Sequence, residues 1–174
     1  MSASNITKNA KNFLAENKVF TPPVDIESLA SKQGVLIRYE ELEDDISGLL
    51  IYKNKKAIIV VNSNHHKNRR RFTISHELAH YILHTKECDD MFVDRKPFVM
   101  HRDKRASSGE YQKEIEANQW AAEILMPEDM IENDIDDLEI DLFDEIEVSK
   151  LAKKYQVSEQ AFSFRLANLG YSII

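Results

Sequence analysis

The chain reads as an α+β protein. A small antiparallel or mixed sheet is expected to pack on a helix carrying a His-Glu-x-x-His motif and on a second, glutamate-bearing helix, with a helix-turn-helix-like subdomain after them. Three observations predict this. Strand-like apolar runs flank a polar turn near residue 54, two long stretches place polar residues at helical spacing on otherwise apolar faces, and two short helical patterns close the sequence. Pro127 suggests a boundary between residues 1–127, which hold both motif helices, and a helical subdomain at 128–174.

Residues 4 to 18 place Ile6, Ala10, Phe13 and Leu14 on one helical side, and Thr21-Pro22-Pro23 ends that pattern. Asp25 can cap a short helix, Ile26 to Lys32, which Gly34 terminates. Val35 to Tyr39 is a strand, and Leu49 to Tyr52 and Ala57 to Asn62 form a hairpin about Lys53-Asn54-Lys55-Lys56. The unbroken run Ala57-Ile58-Ile59-Val60-Val61 predicts a strand buried on both faces. A helix from about Arg70 to His84 carries the motif. The polar connection Lys86 to Gly109 is long enough to cover a cleft, and Glu110 to Met126 is helical again. The closing pair is Val148 to Tyr155 and Ser158 to Leu169, with Gln156 in the turn where glycine is common.

Composition narrows the function classes. No run of about 18 apolar residues suggests a membrane span, no basic-then-apolar start suggests secretion, and Cys88 is the one cysteine, so a cytoplasmic protein is expected. The net charge of -7 weighs against nucleic acid as the partner of the whole chain. The charge is uneven: residues 128 to 147 hold eleven Asp or Glu and no Lys or Arg, whereas Lys67 to Arg71 and Arg95 to Arg105 are basic. These patches are either solvated surface or steer a partner.

His76-Glu77-Leu78-Ala79-His80 carries the chemistry. At about 100° per residue, His76 and His80 share one helix face a turn apart, which suits two nitrogen ligands of one tetrahedral zinc. Glu77 sits at the edge of that face, where a carboxylate can act as general base on a metal-activated water without ligating the ion. Phe72, Leu78, Ala79, Ile82 and Leu83 can anchor the other side. The bare pentapeptide also fits a helix with two exposed histidines and a salt-bridging glutamate.

A catalytic zinc needs a third protein ligand. Leu83 and Lys86 stand where an HExxHxxGxxH site would have glycine and histidine, so that class is excluded. His84, one turn beyond His80, cannot close a tetrahedron with two ligands on the same straight helix and is expected behind them. Cys88 is a weaker alternative. On the later helix one face runs Glu114, Ala117, Asn118, Ala121, Leu125, and its small residues permit close helix approach. Glu114 is therefore the preferred third ligand, and Asn118 is placed to hold a ligand histidine. Glu116, Gln119 and Glu123 fall on the opposite side and are expected to be solvated.

The block Arg71-Phe72-Thr73-Ile74-Ser75-His76-Glu77-Leu78-Ala79-His80 with His84, and the block from Glu114 to Pro127, resemble the ImmA/IrrE family of metallo-endopeptidases. Pro22-Pro23-Val24-Asp25 through Gly34 and Ser47-Gly48 match as well, so the resemblance spans most of residues 10 to 170; Trp120 stands where phenylalanine is usual. The resemblance implies a gluzincin-like fold, with His76, His80 and Glu114 as metal ligands, Glu77 as catalytic base and Zn2+ as cofactor. It also implies a substrate: a helix-turn-helix transcriptional repressor of a phage, mobile element or stress response.

Several readings stay open. The hairpin could bind substrate through an edge strand or be purely structural. Tyr81, His101 and Tyr111 are alternative donors to a developing oxyanion. The closing helices either pack as a plain hairpin, grip a repressor or touch DNA, and zinc precedes manganese or iron on ligand type. Against the endopeptidase stands a non-proteolytic protein that binds a repressor, a toxin-like partner or DNA.

Overall fold

The computed structural model describes residues 1–85, 108–138 and 144–171. Cys88, His101 and most of the Lys86 to Gly109 connection lie outside the described residues. In chain order the elements are α1 (Ala3–Glu16), α2 (Ile26–Lys32), β1 (Val35–Glu40), β2 (Gly48–Lys53), β3 (Lys56–Asn62), α3 (Lys67–His84), α4 (Ser108–Leu125), α5 (Glu128–Leu138), α6 (Glu145–Tyr155) and α7 (Glu159–Asn168). The fold is α+β, as expected, and none of the described helices is long and apolar enough to cross a membrane.

Local chemistry sets the boundaries. Asp25 caps α2 by accepting from the Ser28 N–H at 3.0 Å, and Gly34 follows that helix with φ +74°. Gln156 takes the left-handed conformation at the end of α6, φ 54°, doing the work of the glycine common at that position, and Ser158 caps α7.

The sheet is mixed, in the order β1-β3-β2, with β1 parallel and β2 antiparallel to β3. The register sets Val35 and Ile37 beside Ala57 and Ile59, and Leu50 across from Ile59. The apolar run in β3 does mark the central strand. Its two faces differ, however: Ala57, Ile59 and Val61 are sealed, whereas Ile58 and Val60 are half-buried. Helix α3 packs against β2, β3 and α2, and its other flank meets α4.

The C-terminal half of helix α4 is wrapped on most sides. Its apolar residues Trp120, Ile124 and Leu125 are fully buried, and Trp120 donates its indole N–H to Asn9 Oδ1 at 2.9 Å. Gln119 donates to the carbonyl of Ala3 on α1. From the C-terminal side, Arg165 of α7 pairs with Glu123 and donates through Nε to the carbonyl of Met126 at 3.0 Å. Glu123 also accepts from the Glu128 N–H at 3.2 Å, anchoring the start of α5, so the acidic stretch begins as a helix that buries Met130 and Ile131. Two expectations are corrected here: Glu116 and Glu123 are buried, 4% and 1% exposed, because α1 and α7 cover the flanks of α4 that its own periodicity assigned to solvent.

The loop before β2 is organised by Asn62, fully buried at the end of β3. Its amide nitrogen donates to the carbonyls of Leu42, Glu43 and Ile46, and its Oδ1 accepts from the Asn64 N–H. That loop delivers Ser47 and Gly48 to the flank of α3. A Cβ at Gly48 would lie 2.5 Å from Thr73 Cγ2 and 2.6 Å from the Val60 carbonyl oxygen. Gly48→Ala should therefore destabilise the protein by about 1–3 kcal/mol, read as a lowered denaturation midpoint at unchanged m-value.

Candidate metal centre

Helix α3 buries the whole run from Thr73 to His80. His76 is 9% exposed, Glu77 3% and His80 0%. Burying two imidazoles and a carboxylate on one turn requires compensation by charge or hydrogen bonding. Part of it comes from Glu114 on α4, whose Oε2 lies 3.3 Å from His76 Nε2 and whose Oε1 lies 3.1 Å from His80 Nε2. The two Nε2 atoms are 3.0 Å apart, with the rings nearly perpendicular at 75°.

Three donor atoms thus converge, and His76, His80 and Glu114 form a group able to hold a metal ion. Metal–ligand bonds of about 2.0–2.1 Å at tetrahedral angles put neighbouring donor atoms roughly 3.3 Å apart. The two Nε2 atoms are 3.0 Å apart, and each lies 3.1 or 3.3 Å from a different oxygen of Glu114, close to that requirement. Burial alone would raise the Glu114 pKa, but hydrogen bonds and charge from His76 and His80 hold it well below the usual carboxylate range. The donor set is therefore an anion facing imidazoles, which suits a divalent ion.

The close approach of the two helices rests on small residues. Ala117 and Ala121 are fully buried, and Ser75 Oγ on α3 lies 3.5 Å from the Ala121 carbonyl oxygen on α4.

His84 does not join the cluster. Its Nδ1 lies 3.1 Å from Nδ1 of His80, on the opposite edge of that ring from the converging atoms, and its Nε2 lies 3.1 Å from Glu116 Oε2. Burial lowers the His84 pKa, against the opposing pull of the Glu116 carboxylate. Burial would raise Glu116, but hydrogen bonds from the Met1 amino group, His84 and Gln112 bring it down to about 2. The pattern of the sequence does not reveal this carboxylate, because two of its partners, Met1 and His84, lie outside its own helix.

A cleft of about 1090 Å³ opens over the cluster, with His76, Glu77 and Glu114 at its base. Asn118 lines it, and its buried amide nitrogen has no hydrogen-bond partner among the described residues. Ser47 and Gly48 form one rim, where Arg69 clamps Ser47 Oγ at 2.9 Å. The far wall is α7, contributing Ala161, Phe164 and Asn168. Of the oxyanion candidates among the described residues, Tyr81 sits edge-on to Tyr52 at 5.7 Å and Tyr111 is exposed; neither lines the cleft.

The family model for the IrrE N-terminal-like domain, Peptidase_M78, matches residues 30–167. The chain belongs to that family. The match spans both motif helices and reaches into α7, and the family is one of metallopeptidases. Among curated relatives, a Bacillus phage phi105 protein titled "Uncharacterized immunity region protein 2" is 32% identical over 100 residues, covering 58% of this chain and 57% of the relative. The chain thus spans little more than half the length of that phage protein. Among solved structures, a Mycobacterium tuberculosis transcriptional regulator superposes with TM-score 0.61 over 94% of this chain, at 17% identity, and the chain covers 47% of that protein. At that identity the likeness establishes the fold of this Peptidase_M78 member and nothing further.

Proposed function

We propose that this protein is a zinc-dependent endopeptidase that cleaves a helix-turn-helix transcriptional repressor of a phage, mobile element or stress response. The observation that carries the peptidase reading is the convergence of His76, His80 and Glu114 beside a cleft lined by His76, Glu77 and Glu114. The repressor as substrate rests on family membership and on the immunity-region title of the phage relative.

His76, His80 and Glu114 would hold the ion. A zinc ion held there would supply Lewis acidity toward a water and the peptide carbonyl. Glu77 takes a proton from the attacking water as its oxygen bonds to the carbonyl carbon, then gives that proton to the amide nitrogen as the C–N bond breaks. Asn118 offers its buried amide N–H to the bound peptide. Leaving such a donor without a partner costs about 1–3 kcal/mol, so a ligand that accepts from it binds more tightly. Its Oδ1 remains the proposed acceptor for a ligand histidine.

The C-terminal helices belong to substrate binding in this reading. The basic side chains on α6 and α7 are largely committed within the protein: Arg165 to Glu123, Lys150 to Glu147 and Lys154 to Asp134. Little positive charge is left for a phosphate backbone. Phe164 instead lines the cleft while 63% exposed, an aromatic anchor for an apolar side chain of the peptide.

The direct test incubates the purified protein and its Glu77→Gln variant with candidate repressors, following the repressor by intact mass and bound metal in parallel. The expected outcome is cleavage at a discrete bond by the native protein and a rate loss of at least about 10³-fold in the variant with metal retained. Stoichiometric complex formation by both proteins without cleavage would instead establish a non-proteolytic repressor-binding protein. On a peptide spanning the cleaved bond, Phe164→Ala should raise KM about 10-fold with kcat little changed, the mark of lost uniform binding.

A further inference from the structure

Behind the metal cluster runs a line of buried groups that coordination itself does not require. His80 Nδ1 meets His84 Nδ1 at 3.1 Å, His84 Nε2 meets Glu116 Oε2 at 3.1 Å, and Gln112 donates to Glu116 Oε1 at 3.1 Å. The side chains of His80, His84 and Glu116 are 0%, 6% and 5% exposed, so water does not readily substitute in the His80–His84 and His84–Glu116 contacts. The line joins α3 to α4 a second time, on the far edge of the His80 ring from Glu114.

We propose that His84 and Glu116 are positioning residues that lock His80 in the tautomer able to bind metal. This rests on the reading of His76, His80 and Glu114 as ligands. The proton order follows from the end of the chain. A carboxylate accepts only, so His84 donates to Glu116 through Nε2–H. With its one proton on Nε2, His84 presents a bare Nδ1, which accepts from His80 Nδ1–H across the 3.1 Å contact. That donation leaves His80 Nε2 with a lone pair, aimed at the point shared with His76 Nε2 and Glu114. In the reverse order, with His84 donating through Nδ1, His80 would carry its proton on Nε2 and could not ligate there. Glu116 thus acts at a distance: its carboxylate fixes the tautomer of His84, and His84 fixes that of His80. Partners of this kind also orient a ligand ring and raise its basicity.

The test uses the full chain, zinc ion in competition with a chromophoric chelator, and the variants Glu116→Ala, Glu116→Gln and His84→Phe. The phenylalanine keeps the ring packing of His84 and removes its hydrogen bonds. Glu116→Ala and His84→Phe should each weaken zinc binding about 10–100-fold. The double variant should be no weaker than the weaker single variant by more than about twofold, because each breaks the same chain. Glu116→Gln keeps an acceptor oxygen and should lie between wild type and alanine; with His84→Phe it decides the matter if the alanine variant does not fold. In ¹⁵N imidazole spectra of the zinc-loaded wild type, His80 should be protonated at Nδ1 and His84 at Nε2. Zinc affinities within about twofold of wild type in folded variants, or His84 protonated at Nδ1, would overturn the proposal. A wild-type chain that takes up no zinc, or takes it up equally well as His76→Ala, overturns the metal reading and this inference with it. Normal zinc uptake with indifferent His84 and Glu116 variants removes the inference alone.

Discussion

Much of this molecule depends on how closely α3 and α4 approach. Two histidines one turn apart on α3 cannot complete a metal site from their own helix, so a third ligand must come from elsewhere in the chain. Alanines at 117 and 121 let the α4 backbone come near enough for Ser75 Oγ to lie 3.5 Å from the Ala121 carbonyl. At that spacing the Glu114 carboxylate bridges both imidazoles at 3.1 and 3.3 Å. Larger side chains at those positions would separate the helices. The metal group would then be a pair of histidines and a distant glutamate. The remaining elements hold this approach from outside: the sheet backs α3, while α1 and α7 brace the two flanks of α4.

The same packing has an electrostatic consequence. Drawing two helices together around polar residues buries His80, His84, Glu77, Glu114 and Glu116 at least in part, and each needs compensation that water no longer provides. The structure meets much of that need with pairs that run between the helices rather than along them. Glu114 faces the converging nitrogens, and Glu116 holds the outer histidine. Two carboxylates two residues apart on α4 therefore take different parts, because helix positions two apart point about 160° from one another and each finds a different side of α3 or its neighbours.

Legibility in the sequence followed the range of the interactions involved. The i, i+4 histidines and the adjoining glutamate are local, and helix geometry alone brings them together. Glu114 was readable because its face of α4, with Ala117, Asn118 and Ala121, signals close approach to another helix. The central strand was readable from Ala57 to Val61, although the parallel pairing of β1 needs a crossover that no local pattern specifies. The periodicity of α4 assigns Glu116 and Glu123 to solvent for one reason: the groups that cover them lie far away in the chain, Met1 more than 100 residues before Glu116 and Arg165 of α7 about 40 residues after Glu123. The acidic run after Pro127 hid a helix for a related reason, since Met130 and Ile131 are few among carboxylates and find their place only once Glu123 anchors the first turn. Asn62 gave no sequence signal, because its role is to satisfy three carbonyls of a loop some twenty residues earlier.

The central proposal is that one ion is held by the imidazoles of His76 and His80 and the carboxylate of Glu114, with His84 behind them. Zinc-edge X-ray absorption on the stoichiometrically loaded protein tests this most directly. The account predicts four-coordinate zinc with only nitrogen and oxygen neighbours at about 2.0–2.2 Å and outer-shell scattering from two imidazoles. A sulfur neighbour at about 2.3 Å, or scattering from three imidazoles, would contradict it and assign the third ligand to Cys88 or His84 instead of Glu114.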